Sequence, residues 1–246
     1  MAGLSMFKQY TIDTTHRSLA PEIMDDFAME GSLLQKALDR IAKINRLLGG
    51  NKITIQGVEA LLQQLPADRE VVIADIGCGN GDMLRTLAAY GRKKQCKFRL
   101  IGIDANNFTT LHAAQLSAKF PEISYRCLDV THTSFADMKC DIVLCTLTLH
   151  HFKNEEIFQL MKIFRNSAAV GIVINDLHRN IIAYRLFQAL CFVLGLNRMT
   201  KADGLTSILR GFKKKELRYF SQKLNLIHYS LRWKWAFRYQ WVISNL

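Results

Sequence analysis

Asp75-Ile76-Gly77-Cys78-Gly79-Asn80-Gly81 is the segment of this 246-residue chain whose residue types most plainly imply chemistry. Glycines let a backbone turn sharply and come close to a ligand that a Cβ would exclude. The loop follows the β-branched run Val71–Asp75 and precedes the helical spacing of Asp82 to Tyr90, the setting such a loop needs. A dinucleotide fingerprint, G-x-G-x-x-G, demands a third glycine where this chain has Asp82. A carboxylate at a helix start opposes the pyrophosphate that the helix N-terminus otherwise attracts. With Asp75 as a second acid, the loop suits a ligand that carries an ammonium and a sulfonium, so the spacing favours S-adenosylmethionine over NAD. The next strand ends in Ile103-Asp104, followed by Ala105-Asn106, and an acid there can accept hydrogen bonds from both ribose hydroxyls. Asp129, in Arg126-Cys127-Leu128-Asp129-Val130, follows a third strand and suits an adenine amino group.

Methyl transfer from a sulfonium is an in-line displacement, so the protein mainly aligns the nucleophile and keeps water out. A phenol or carboxylic acid acceptor must also lose a proton, and histidine is the usual base near neutral pH. His150 and His151 follow the fourth strand and His178 follows the fifth. Asp176 and Arg179 flank His178; an acid there would orient the ring and raise its basicity, which puts His178 first among the three. Asp176 has a second reading, as a cap for the following helix. In Leu149-His150-His151-Phe152, at least one imidazole is expected to order the loop or line the pocket. No metal is expected. The six cysteines are scattered without a C-x-x-C pair, and Asp129 and Asp176 lack a partner set.

The elements that must position these residues follow from periodicity. Ser32 to Leu48 carries apolar residues at helical spacing and stops at Gly49-Gly50; a second helix is predicted over about Ile55 to Gln64. Strands are predicted at Val71–Asp75, Phe98–Ile103, Ile123–Leu128, Asp141–Thr146 and Val170–Asn175, with helices at Asp82–Tyr90, Leu111–Phe120 and Glu155–Phe164 between them. Continuously apolar strands alternating with helices imply a parallel sheet covered on both faces. After a helix over Lys213–Leu224, the runs Ile227–Trp235 and Phe237–Ser244 are too closely joined for a parallel crossover and imply an antiparallel pair. The fold class is therefore α/β, a Rossmann-like doubly wound, mostly parallel sheet ending in an antiparallel hairpin. Residues 1–68 are expected to form a helical extension or cap and 69–246 the main domain. Residues of about 180–209 interrupt the rhythm as a candidate lid, with internal packing and a membrane-surface helix as the alternatives.

Composition bounds the rest. The apolar share of 49% and charged share of 22% are ordinary for a globular chain. Met1 to Thr15 is mixed and polar, unlike a secretory leader, and Ile181–Leu196 is shorter than the roughly 20 residues that cross a bilayer. The cysteine usage fits a reducing, cytoplasmic compartment. The formal net charge is +12, with nine Lys or Arg against the single acid Glu216 from Gly204 onward. That balance is either a solvated face or an attraction to an anionic partner, such as a membrane surface. The aromatic-basic alternation over Trp233–Trp241 reads first as a half-buried strand, so nucleic acid is not the expected partner.

The segment Val71–Asp176 resembles the class I S-adenosylmethionine-dependent methyltransferases in their small-molecule branch. The resemblance rests on Asp75–Gly81, Asp104, Asp129-Val130 and the run Cys145–Phe152. It implies that Gly77, Cys78 and Gly79 contact the methionine part, with Gly81 completing the loop and Asp104-Ala105 at the ribose. It also implies Asp129 and Val130 at the adenine, and the Thr146 carbonyl near the cofactor amino group. Glu22-Ile23-Met24-Asp25-Asp26, Ile44–Gly50, Asn175–Arg179 and Asp203-Gly204 are similar to a bacterial subgroup that resembles quinone-type and polyketide-type methyltransferases. This implies a lipophilic, often phenolic acceptor and transfer to oxygen. Carbon methylation of a quinol-like ring, an RNA-modifying enzyme and a non-catalytic binding protein remain the alternatives.

Overall fold

In the computed structural model, residues 12–66, 68–131, 135 and 138–246 are described. Residues 1–11, and with them most of the Met1–Thr15 stretch read against a leader, lie outside the described residues. Seven strands form one sheet in the order β3-β2-β1-β4-β5-β7-β6: β1 Glu70–Ile76, β2 Lys97–Asp104, β3 Ile123–Cys127, β4 Cys140–Thr146, β5 Ala168–Leu177, β6 Tyr229–Lys234 and β7 Arg238–Ser244. β1 to β5 run parallel, and β7 is antiparallel to both β5 and β6. The central strands β1, β4 and β5 are mostly apolar because both faces are covered, whereas the edge strand β3 is largely exposed. On one face α2 (Gly50–Leu62) and α3 (Asp82–Lys94) bury Val58, Leu61, Leu84 and Leu87 against Ile73, Leu100, Leu144 and Val173. On the other, α5 (Asn154–Ser167) and α8 (Lys214–Lys223) bury Ile157, Leu160, Phe164, Leu217 and Phe220 against Ile76, Val143, Ile174 and Trp241.

The helices are shifted from their predicted ends for local reasons. α1 (Ser32–Leu47) stops as predicted, but α2 begins at Gly50 rather than near Ile55. Only glycine fits there, since a Cβ on Gly50 would lie 1.9 Å from Asn45 Oδ1. Asn45 in turn donates to Asn51 Oδ1 at 2.7 Å across the turn. α4 (Asn107–Leu116) starts four residues earlier than Leu111 because the Asn106 side chain accepts the Thr109 N–H at 2.8 Å. The stretch read as a lid forms two helices, α6 (Ile181–Val193) and α7 (Arg198–Arg210), capped by Asn180 and Asn197. Asp176, read alternatively as the cap of α6, is inside β5 instead, and Asn180 does the capping. Among the described residues, no helix is long and apolar enough to cross a membrane.

Candidate active site

Parallel strands end in backbone that no longer pairs, and ligands of open α/β sheets gather beyond those ends. A cavity of about 890 Å³ lies there, over the tips of β1, β2, β4 and β5. It is walled by the turn Ile23–Asp25, α1, α6, α7 and the β6–β7 turn. Asp75, Gly77, Cys78, Gly79, Asp104, Ala105, Asp129, Val130, Thr146, His150, His151 and His178 all line it. Gly81 does not: it precedes α3 at φ +76°, and a Cβ on it would strike the Tyr125 hydroxyl.

The cofactor-side residues come from adjacent strand tips. Gly77 has φ +67° and sits so close to Thr148 that a Cβ would fall 2.4 Å from its side chain. The N–H groups of Gly77 and Cys78 both donate to the Ile103 carbonyl, which fastens the loop to β2. Asp75 is buried and its Oδ1 has no hydrogen-bond partner. Burial, aided by the charge of Asp104, raises its carboxyl to about 8. Asp104 accepts the Gly79 N–H at 3.1 Å and the Asn106 N–H at 3.1 Å, and burial raises its carboxyl as well. Two neighbouring acids, one with an orphaned oxygen, fit a cationic ligand. Asp129 Oδ1 accepts from the Thr131 N–H and hydroxyl. The Thr146 carbonyl accepts the Thr148 hydroxyl at 3.0 Å. Asp82 serves differently from the sequence expectation. It pairs with Arg46, accepts Asn51 Nδ2 at 2.8 Å and ties α1 and α2 to α3, so its charge is neutralised within the fold.

The three histidines separate by their partners. His150 is buried, with Nδ1 2.7 Å from Asp176 Oδ1 and Nε2 3.5 Å from Glu22 Oε1. Burial disfavours its charge, but Asp176 and Glu22 outweigh that and push it to about 9. Asp176 and Glu22, for which burial alone would raise the carboxyl, are both held below the usual range by His150. His178 has no such acid: Asp176 turns to His150 instead, which corrects the orientation expected from their spacing. His178 Nδ1 accepts the Trp233 indole N–H at 3.3 Å, and burial together with Lys213 and Arg179 lowers its basicity. With Nδ1 accepting, a neutral ring carries its proton on Nε2 and offers a donor there rather than a base. His151 is 28% exposed at its side chain, and its Nδ1 lies 2.7 Å from Asp25 Oδ1. A carboxylate only accepts, so Nδ1 carries a proton and a neutral ring has its lone pair on Nε2.

Asp25 and Glu22 are the residues that the reading of chemistry missed, although both lie in the quoted run Glu22–Asp26. Their turn is pinned from α7: Asp203 accepts the N–H groups of Ile23 at 2.7 Å and Met24 at 3.1 Å, and Ser207 donates to Glu22 at 2.8 Å. Arg210 Nη1 donates to Asp25 Oδ2 at 2.6 Å, and its other nitrogens donate to the carbonyls of His150 and His151. Burial opposes ionisation of Asp25, but His151 and Arg210 hold its carboxyl far below the ordinary range. Among the described residues, Glu22, His150 and His151 also offer three ligand-type atoms within 4.8 Å of one another. The positive charge that these acids require is already supplied there by His150 and Arg210. Leu147, between Thr146 and Thr148, has φ +55°, a conformation costly for a non-glycine residue that no sequence pattern announces.

Residues 73–170 match the family model described as a methyltransferase domain. Among solved structures, the chain is similar to the plantazolicin methyltransferase BpumL in complex with SAH. The two share 15% identity over 86% of this chain and 90% of that one, with a TM-score of 0.64. It is also similar to the magnesium protoporphyrin IX methyltransferase ChlM from Synechocystis PCC 6803 with bound SAH, at 15% identity over 88% of each chain and a TM-score of 0.53. The CurJ carbon methyltransferase aligns at 14% identity over 78% of this chain and 53% of that one, with a TM-score of 0.58. At such identities the likeness carries the fold. No curated protein sequence matches the chain. Sheet order, glycine loop and strand-tip acids thus define the class I methyltransferase architecture. The match over residues 73–170 and the shared architecture agree on a methyltransferase domain in that segment.

Proposed function

We propose that the protein is an S-adenosylmethionine-dependent methyltransferase that methylates an oxygen of a lipophilic small molecule, with His151, oriented by Asp25, as its general base. The observation that carries this reading is the His151–Asp25 contact at the cavity wall, with Nε2 left able to accept a proton. S-adenosylmethionine supplies the electrophilic methyl group. Asp75, Gly77, Cys78, Gly79, Asp104 and Ala105 hold the methionine and ribose parts, with Asp129 and Val130 at the adenine. An acceptor hydroxyl gives its proton to His151 Nε2 as its oxygen takes the methyl carbon, and the products are an ether and S-adenosylhomocysteine. His150, already protonated near neutral pH and sealed between two acids, positions the loop rather than accepting a proton. The apolar wall formed by Phe27, Leu186, Phe187, Leu190, Trp233 and Phe237 supports a lipophilic acceptor.

The same reading gives α6 a second task. Its inner side lines the cavity, and its outer side exposes Ile182, Phe192 and Val193 around a single charge, Arg185. No acid occurs between Asp176 and Asp203, which suits delivery of the acceptor from an anionic lipid surface. Incubating the enzyme with labelled cofactor and fractionated lipid extract, followed by mass spectrometry, tests the function. A phenolic or enolic lipid that gains one methyl group is the expected product. Label appearing only in RNA or at ring carbon contradicts the proposal.

A further inference from the structure

The cavity has a second polar end, opposite in sign to the first. Arg238 opens β7, opposite Leu177 at the end of β5. It lines the cavity, is 3% exposed, and its Nε and Nη1 have no hydrogen-bond partner. The two other buried arginines near the site are engaged: Arg179 pairs with Glu216, and Arg210 pairs with Asp25. Burial pulls Arg238 down only to about 10, so it remains a cation at neutral pH. Asp176, the acid whose charge reaches it, is already held by His150. A guanidinium kept from water without acceptors costs stability unless a ligand completes it, and its planar donors match an oxyanion.

The sheet order locates this charge relative to the cofactor. β7 lies three strand spacings from β1, a separation of about 14 Å across the sheet. The ammonium and carboxylate of a methionine moiety sit on the same carbon, so both belong with Gly77–Gly79 and the Thr146 carbonyl at the tips of β1 and β4, and β4 is still two strand spacings, about 10 Å, from β7. An oxyanion at Arg238 therefore comes from the other ligand.

We propose that Arg238 anchors a carboxylate or comparable oxyanion on the methyl acceptor, which makes the acceptor an acidic amphiphile whose hydroxyl reaches His151. This rests on the cavity being the acceptor site, and it is tested by binding so that a failure of methyl transfer cannot be mistaken for its failure. With S-adenosylhomocysteine saturating, calorimetry compares 6-hydroxy-2-naphthoate, the matching sulfonate and the primary amide on the wild type, Arg238→Met and Arg238→Lys. The wild type is expected to bind the naphthoate at least tenfold more tightly than the amide, and the sulfonate result shows whether carboxylate shape matters. Arg238→Met loses the preference with unchanged affinity for S-adenosylhomocysteine, and Arg238→Lys recovers part of it. Equal binding of acid and amide by the wild type, or an undiminished preference in Arg238→Met, overturns the proposal. Should none of the three bind, thermal stabilisation by benzoate is compared in the wild type and Arg238→Met, and equal shifts overturn it too. A variant that loses stability while keeping its selectivity assigns the guanidinium to the fold and has the same consequence.

Discussion

A buried imidazole between two acids and a half-exposed one on a single acid cannot do the same work. His150 is pushed to about 9 by Asp176 and Glu22, against an ordinary value of 6.5. A raised histidine contributes its full stability below the unfolded value and loses it as pH climbs through the folded one. Melting temperature should therefore fall between about pH 6.5 and 9. His150→Gln should be less stable at pH 6 but flatter over that range; a parallel wild-type slope contradicts the assignment. Asp75 makes the complementary case. Raised to about 8 by burial and Asp104, it is largely protonated at pH 7, and a bound cation favours its ionised form. Binding of S-adenosylmethionine should thus release a proton, seen as a calorimetric enthalpy that varies with the buffer's ionisation heat. A buffer-independent enthalpy, or one unchanged in Asp75→Asn, contradicts this. The placement of the glycine loop and Asp104 at the tips of β1 and β2 was legible in the sequence because it depends on local order along the chain. The partners of the histidines were not, because Asp25 lies 126 residues from His151 and spacing near His178 pointed to the wrong partner for Asp176.

At the scale of elements, strands and most helices followed from apolar periodicity, since burial on both faces of β1, β4 and β5 leaves little freedom. Ends were less legible. Gly49-Gly50 reads as a helix stop, yet the same pair starts α2, because the Asn45–Asn51 bond and the close approach at Gly50 draw the chain straight back into helix. Asp82 marks the limit of motif reasoning in the same way. Its type suggested a cation-binding ligand site, whereas long-range partners on α1 and α2 claim it. Asp82→Ala takes the charged acceptor from the buried Asn51 amide, which keeps only Thr86 Oγ1, and should cost about 2 kcal/mol of stability in chemical denaturation. A loss of cofactor affinity without a loss of stability would return Asp82 to the binding site. Gly77→Ala should weaken cofactor binding sharply, since the new Cβ meets Thr148 and the backbone is left-handed there; unchanged binding by calorimetry refutes the tight loop.

For the molecule as a whole, the excess of +12 and the apolar outer side of α6 lead to one joint prediction. Flotation should recover the protein with vesicles containing anionic phospholipid, less so in high salt, and Ile182→Asp/Phe192→Asp should abolish this. Binding to neutral vesicles alone, or none at all, removes the lipid surface from the account. The cavity that α6 helps to wall joins the acidic end at β1 and β2 to an imidazole, proposed above as the base, held beyond β4 by a turn more than a hundred residues away. Transfer through that base is the central claim, and single-turnover methylation followed across pH tests it most directly. The wild-type rate should rise with pH and then level off, as transfer assisted by a general base requires. His151→Asn should fall by about 10²-fold or more and lose that rising limb, and Asp25→Asn should fall less while shifting it. A His151→Asn enzyme that keeps both the rate and the limb contradicts the account.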